Sequence, residues 1–246
     1  MSHYLPGTAK IGPLPKTSWT LLAVVKDADS PPARQALSQL CESYWYPLYA
    51  FLRRSGEPPE RAEDLIQSFF ADIIAREFFK NVDPAKGTFR SFLLASLTNH
   101  VNNVRDWERR DKRGGKVLHF SLDFRDAEGR YGGELAHRGT PERLYQRRWA
   151  LTVLNRVLEE LEREMVNASK GQLFDSLKPT LTGGGISERH SRIGEQLGMT
   201  EKAVKQSAYR MRKRYRELMR EEIGRTVVDP DLVNQEIADL FSALST

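Results

Sequence analysis

Cationic, amide and phenolic side chains recur at 202–216 with a spacing that could bind a polyanion. On a helix they would share the side opposite an apolar stripe: Lys202, Lys205, Gln206, Tyr209, Arg210, Lys213, Arg214 and Arg216. Lysine and arginine neutralise phosphates, and arginine and glutamine also hydrogen-bond to base edges in the DNA major groove. The pattern favours a DNA-binding face. A merely solvated basic helix would carry the same residues, so the face alone leaves both interpretations open.

The neighbouring residues predict how that face is positioned. Apolar residues at steps of four and three predict a helix with one buried side: Val204, Ala208, Met211, Tyr215 and Leu218. Thr200 can cap this helix, and Gly198 can turn the chain with a positive φ. Ser187 can cap a shorter helix before the turn, in which Gly194 would allow a second helix to pass closely. The stretch 187–222 therefore reads as a helix-turn-helix, which strengthens the DNA-binding interpretation.

A second basic stretch covers 88–113 and interleaves cations with aromatic and amide side chains. An apolar stripe predicts a helix: Phe89, Phe92, Leu93, Leu97, Val101 and Val104. Around it lie Arg90, Asn99, Asn103, Arg105, Trp107, Arg109 and Arg110. Aromatic rings stack on unpaired bases while cations hold the strand's phosphates. A packed helix with a polar outer side is the alternative here.

The predicted helix at 60–80 has an acidic outer side, unlike the rest of this basic chain. Its inward residues would be Ala62, Leu65, Ile66, Phe69, Phe70, Ile73 and Ile74, whereas Glu63, Asp64, Gln67 and Asp72 would face outward. The acidic side is either ordinary solvated charge or a docking face for a protein partner.

Nothing in the sequence forms a recognisable catalytic or metal-binding motif. The five histidines are scattered, and Gly183-Gly184-Gly185 lacks the Lys-Ser/Thr ending of a phosphate loop. The single cysteine, Cys41, argues against disulfides and favours a reducing cytosol. No long apolar run suggests membrane insertion. We therefore predict a cytoplasmic protein that is not an enzyme and has no cofactor or metal.

The chain of 246 residues, with 39% hydrophobic residues and a net charge of +5, is long enough for two helical domains. We predict an all-α fold in which a flexible linker joins these domains, the second containing the helix-turn-helix. Between them, the Gly-, Arg- and Asp-rich composition favours a linker. A helix from Pro141 would point Leu144, Trp149 or Leu151, Leu154, Leu158, Leu161 and Met165 inward. The predicted parts are a lead at 1–16, domains at 17–113 and 141–225, a linker at 114–140, and an amphipathic helix at 226–246.

With these elements in order, the chain resembles the extracytoplasmic-function (ECF) sigma factors of bacterial RNA polymerase. The run Ala62-Glu63-Asp64-Leu65-Ile66-Gln67-Ser68-Phe69-Phe70 is similar to the family's Ala-Glu-Asp-Leu-Val-Gln-x-x-Phe helix. The run Gly87-Thr88-Phe89-Arg90-Ser91-Phe92-Leu93 is similar to its Gly-x-Phe-Arg-x-Trp-Leu segment. The terminal segments are similar to a subgroup with extra termini. The chain departs from the family at Phe92, where tryptophan is usual, at Asn103, and at Gly194, where alanine is common.

The resemblance implies a transcription initiation factor with two DNA-reading surfaces. The helix at 62–70 would bind the polymerase clamp through Glu63, Asp64, Ile66, Gln67 and Phe70. Melted minus-ten DNA would contact Arg90, Phe92, Asn99, Asn103, Arg105, Trp107, Arg109, Arg110, Lys112 and Arg113. The minus-thirty-five element would contact Lys202, Lys205, Gln206, Tyr209, Arg210 and Lys213.

The implied partners are core RNA polymerase and promoter DNA, and an anti-sigma factor or other regulatory protein stays open. The main alternative is a helix-turn-helix regulator that binds duplex DNA without polymerase. That alternative leaves the acidic helix at 60–80 without a purpose.

Overall fold

The computed structural model describes residues 31–74, 87–110, 124, 127–132, 139–181, 187–227 and 229–245. The predicted lead at 1–16, Lys112 and Arg113 lie outside these residues. Every regular element in the described ranges is helical, which confirms the all-α class. Within them, no helix combines the length and apolar content needed to cross a bilayer.

The α-helices of the described residues are numbered in chain order. They are α1 (Pro31–Arg54), α2 (Pro59–Ile74), α3 (Phe89–Arg110), α4 (Ala127–Gly132), α5 (Pro141–Asn167), α6 (Gly171–Leu177), α7 (Ser187–Leu197), α8 (Glu201–Gly224) and α9 (Val233–Leu244). Short 3₁₀ helices lie at Lys178–Thr180 and Pro230–Leu232.

Helix α5 is the central element, against which four other helices pack. Thr140 caps it by accepting a hydrogen bond from the backbone N–H of Arg143, and Pro141 occupies its first turn, where a missing N–H is tolerated. Its neighbours include α1, α6, α8 and α9. Because α5 is covered from more than one direction, its buried residues occupy a broader surface than one stripe: Leu144, Tyr145, Trp149, Ala150, Val153, Val157 and Leu161.

The predicted inward residues of α5 were correct only in part. Leu144, Trp149 and Leu161 are buried, but Leu154, Leu158 and Met165 are half-buried at the edge of the core. Val153 and Val157 take the central positions instead. The central buried positions lie one residue before the predicted ones. The reason is that several helices cover α5, whereas the prediction assumed a single apolar stripe.

One hydrophobic core extends through both predicted domains. It joins Leu48 and Tyr49 of α1 to Trp149 of α5, Met211 of α8 and Leu240 of α9. In the described residues, the helices of the first predicted domain therefore pack directly on those of the second. That each part folds by itself stays a prediction.

The predicted linker at 114–140 contains a short helix, α4, which the sequence reasoning missed. Glu128 anchors it to α1 by accepting hydrogen bonds from Tyr49 Oη at 2.6 Å and from Arg53 Nε at 2.7 Å. The Arg53 guanidinium also lies 5.0 Å from the ring centre of Tyr131. This part of the predicted linker is held against α1, and the linker's other residues are described only at 124, 139 and 140.

Two glycines shape the turn between α7 and α8. Gly198 has a φ of +65°, a left-handed conformation that costs a residue with a Cβ atom free energy. At Gly194 helix α7 approaches the turn closely, since a Cβ there would lie 2.6 Å from the carbonyl oxygen of Met199. The N–H of Met199 donates to the Gly194 carbonyl at 2.9 Å. The turn of residues 198–200 is tight because of these two positions.

We expect Gly194→Ala to destabilise the protein, although alanine is common at this position in the family that the sequence resembles. The added methyl group must displace backbone, which costs about 1 to 3 kcal/mol. Thermal denaturation checks this. Gly129→Ala in α4, where a Cβ would meet no atom within 4 Å, is the matched control and should melt no lower than wild type, because alanine is favoured over glycine in a helix. Equal melting temperatures for the two variants would contradict the prediction.

Candidate nucleic-acid interface

The predicted DNA-reading residues of α8 all lie at the surface. Thr200 caps α8 by accepting a hydrogen bond from the N–H of Ala203 at 3.2 Å. The inward side of the helix is buried through Val204, Ala208 and Met211. On the opposite side, the following six residues are exposed and are called the basic face: Lys202, Lys205, Gln206, Tyr209, Arg210 and Lys213. Tyr209 is 63% exposed, which is a high value for an aromatic side chain.

Ion pairs within the basic face are weak enough to be exchanged for phosphate. Lys205 Nζ lies 2.6 Å from Glu201 and Lys213 Nζ lies 3.9 Å from Glu217, each pair one helical turn apart. All four side chains are about half exposed, and solvated pairs of this kind contribute little to stability. The lysines can therefore leave their partners when a polyanion approaches.

Arg214 belongs to the core side of α8, contrary to the sequence prediction. Its Nη2 and Nε atoms donate to Glu164 of α5 at 2.7 and 2.9 Å, and Nη1 donates to Glu217 and Glu221. Hydrogen bonds from this guanidinium hold the pKa of Glu164 below its ordinary value. Arg214 ties α8 to α5 and is not part of the basic face.

Five of the ten residues predicted to contact melted DNA are exposed along α3 and are called the exposed strip. Asn99, Asn103, Arg105, Trp107 and Arg109 are exposed, and Trp107 presents 45% of its surface to solvent. Phe92 is half-buried and packs against the core. Arg105 forms an ion pair with Glu57, and Arg110 is the last residue of α3. An exposed indole on the same side of the helix as Asn99 and Asn103 is chemically suited to stacking on a base. Arg105 and Arg109 are each two residues from Trp107 and lie on another side of α3.

Arg90 is the clear exception, since the structure buries it. Only 7% of the residue is exposed, and its guanidinium is paired with Glu236 and Asp239 of α9. Burial and ion pairing keep it from reaching DNA in this arrangement. The predicted DNA contact by Arg90 stays a prediction, which requires that α9 first leave the arginine.

A shallow groove runs beside the exposed strip of α3, between α3 and α5. Its volume is about 380 Å³, and its lining combines apolar and polar side chains: Phe51, Ser91, Leu94, Ala95, Thr98, Asn99, Glu142 and Gln146. Gln146 also accepts a hydrogen bond from Arg90, so the buried ion pair borders one side of the groove.

The predicted polymerase-binding residues of α2 divide into surface and core. Asp64 is exposed, and Glu63 and Gln67 are half-buried, which makes them accessible to a partner. Partial burial and the negative charges of Asp64, Glu128 and Glu60 raise the pKa of Glu63. Ile66 and Phe70 are completely buried. In this arrangement they are not accessible to a partner, and they fix the orientation of α2 by packing in the core.

Sequence reasoning also missed a hydrogen-bonded trio between α2 and α3. His100 Nδ1 lies 2.9 Å from Asp72, and His100 Nε2 lies 2.9 Å from the Ser68 hydroxyl. The four-residue spacing of Ser68 and Asp72 was the available signal. Although the order matches a serine-histidine-aspartate relay, Ser68 lies inside a helix whose backbone N–H groups bond within the helix. The backbone of α2 around Ser68 therefore offers no free donors to an oxyanion, and the contacts of the trio join α2 to α3.

Comparisons with known protein families, with curated proteins and with solved structures find no match to this chain.

We expect stability to fall as the pH drops from 7 to 5. Burial lowers the pKa of His100 and of His190 below the ordinary value of 6.5, and the cations Arg212 and Lys205 lower that of His190 further. Below about pH 6.5 the histidines of the unfolded chain therefore bind protons before those of the folded chain do. The free energy of unfolding falls by up to about 1.4 kcal/mol per pH unit for each histidine.

Urea denaturation at a series of pH values measures this effect. A His100→Gln, His190→Gln double variant should have a flatter pH dependence than wild type. Parallel curves for the two proteins would show that neither histidine is responsible.

Proposed function

We propose that the chain is a transcription initiation factor of the ECF sigma type, which binds core RNA polymerase and directs it to promoters. The observation that carries this proposal is the basic face of α8. All six of its side chains are exposed, on a helix whose opposite side is part of the core. A capped, rigidly seated helix with this face is suited to the major groove of a minus-thirty-five element.

The exposed strip of α3 supports a second contact with DNA. Trp107 can stack on a base of the melted minus-ten element, while Arg105 and Arg109 hold phosphates and Asn99 and Asn103 offer amide groups. Arg105 would have to exchange its pair with Glu57 for a phosphate. The arginine side chain is 48% exposed, whereas the Glu57 side chain is 12% exposed, so the cost of the exchange is that of leaving Glu57 without its partner.

The acidic side of α2 supports docking on a protein rather than on DNA. Glu63 and Asp64 would repel a nucleic-acid backbone, whereas a cationic protein surface would be attracted. In this proposal the protein binds the polymerase and recognises the promoter, and the polymerase with its own magnesium performs the chemistry.

In vitro transcription with purified core polymerase on a pool of genomic promoters tests the proposal. We expect transcript starts that appear only when the protein is added and that share two spaced upstream elements. An absence of new starts, together with tight binding of the protein alone to duplex DNA, would instead establish a stand-alone regulator.

Gln206→Ala should weaken promoter use in that assay by about 1 to 3 kcal/mol and relax the base preference at one minus-thirty-five position. The reason is that an exposed amide near the start of α8 is placed to bond a base edge. Gln172→Ala is the matched control, because Gln172 is an exposed amide of α6 and does not belong to the basic face. Equal promoter selectivity in both variants would remove Gln206 from the reading surface.

A further inference from the structure

Helix α9 places two carboxylates on a single arginine of α3. Arg90 Nε and Nη2 donate to the two oxygens of Glu236 at 2.6 and 2.9 Å, and Nη2 also donates to Asp239 Oδ2 at 2.9 Å. The third nitrogen, Nη1, donates to Gln146 of α5. The guanidinium lies 4.5 Å from the ring centre of Trp149. All three guanidinium nitrogens are thus engaged by α5 and α9.

Glu236 and Asp239 bind Arg90 in the way that the oxygens of a phosphate would bind a guanidinium. A guanidinium binds two oxygens of a carboxylate or of a phosphate with the same planar fork. Glu236 is 1% exposed, so a phosphate oxygen cannot reach Arg90 while α9 is in place. Any external anion must therefore replace the carboxylates of α9.

The ion pair is a central part of the attachment of α9. Within α9, the buried residues are Val233, Glu236 and Leu240, so one of three buried side chains is a charged partner of Arg90. The partly buried Ile237, Ala243 and Leu244 also pack against the core. Two further contacts are polar: Arg220 donates to Asn234 at 2.7 Å, and Arg147 donates to the carbonyl of Leu244 at 3.3 Å. A helix held in this way can be displaced by competition for its arginine.

The start of α3 is joined to the second half of the chain at two more points. The Tyr145 hydroxyl donates to the Arg90 carbonyl at 2.9 Å, and the N–H of Phe89 donates to the Thr226 carbonyl at 3.4 Å. Displacement of α9 would leave Arg90 in place beside the groove that Gln146 lines. The arginine would then lie next to this groove, with Asn99 of α3 also in its lining, and its charge would be uncompensated.

We propose that α9 is a built-in phosphate mimic that occupies Arg90 until a nucleic-acid backbone takes its place. The proposal rests on the proposed function for the identity of the ligand, a DNA strand along α3. In the closed state Glu236 and Asp239 neutralise Arg90. In the open state a strand phosphate does so, and α9 is released from the start of α3.

The test removes the mimic's charge and keeps its shape. Glu236→Gln, Asp239→Asn is prepared in the full chain, and binding to a fluorescein-labelled single-stranded oligonucleotide of mixed sequence is measured by anisotropy at several salt concentrations. Asn234→Ala is the matched control, because it removes a contact of α9 that does not involve Arg90. Circular dichroism and melting temperature establish that each variant is folded.

We expect the double variant to bind about tenfold more tightly than wild type, as one charge-assisted hydrogen bond is gained. The plot of log K against log salt should steepen by about 0.7, the value for one additional phosphate contact on a single strand. Adding Arg90→Met to the double variant should reverse both changes, and Asn234→Ala should produce neither. Unchanged affinity and slope in a folded double variant would overturn the proposal.

Asp239→Asn alone keeps the test decisive if the double variant fails to fold. The Asp239 side chain is 41% exposed, so this substitution disturbs the core less. It should raise affinity in the same direction by a smaller factor, and no rise in this folded single variant would likewise overturn the proposal.

The two proposals fail in different experiments. If polymerase gives no new transcript starts with the wild-type protein while the double variant gains affinity for the oligonucleotide, the sigma function is wrong and the mimic stands. If new starts appear and the variants bind the oligonucleotide as wild type does, the function stands and the mimic is wrong.

Discussion

The structure depends on the burial of α5 on two sides. One side packs against α1, and the other packs against α8 and α9, so a single helix supports both predicted domains. Trp149 lies at the centre of this arrangement, 1% exposed, with the Arg90 guanidinium above its ring. The Trp149 ring and the Arg90 ion pair are in contact. The position of α5 therefore also fixes the position of the first turn of α3. The exposed strip of α3 and the basic face of α8 are held in a fixed relation through this helix.

That fixed relation is in tension with simultaneous reading of two promoter elements. Elements at minus ten and minus thirty-five are about 25 base pairs apart, or roughly 85 Å at 3.4 Å per base pair. The longest helix, α5, has 27 residues and is only about 40 Å long. A protein that contacts both elements must therefore separate its two halves. In the proposed function, the shared core describes a closed state, and the contacts between the halves set the free energy of opening.

Local sequence signals predicted the elements well, and long-range pairing accounts for most of what was missed. Thr200 and Gly198 act within a few residues of themselves, so the start of α8 and its turn could be read from the chain. Arg90 could not, because its partner Glu236 lies 146 residues away and an exposed arginine looks the same in sequence as a buried one. Helix α4 was missed for a related reason. Its six residues include two glycines, and it is held by Tyr49 and Arg53 of α1 rather than by its own propensity.

The cations of the candidate interface differ in the free energy needed to break their ion pairs before they could bind DNA. Lys205 is paired with Glu201 at the surface, where solvent already competes and exchange for phosphate costs little. Arg90 is paired in the core, where a guanidinium without a partner would carry a large desolvation penalty. Arg90 can therefore change partners only if the incoming anion arrives as α9 leaves. In the proposed function, contact through the basic face therefore costs less than contact through Arg90, and the buried pair makes the second contact dependent on a strand already positioned along α3.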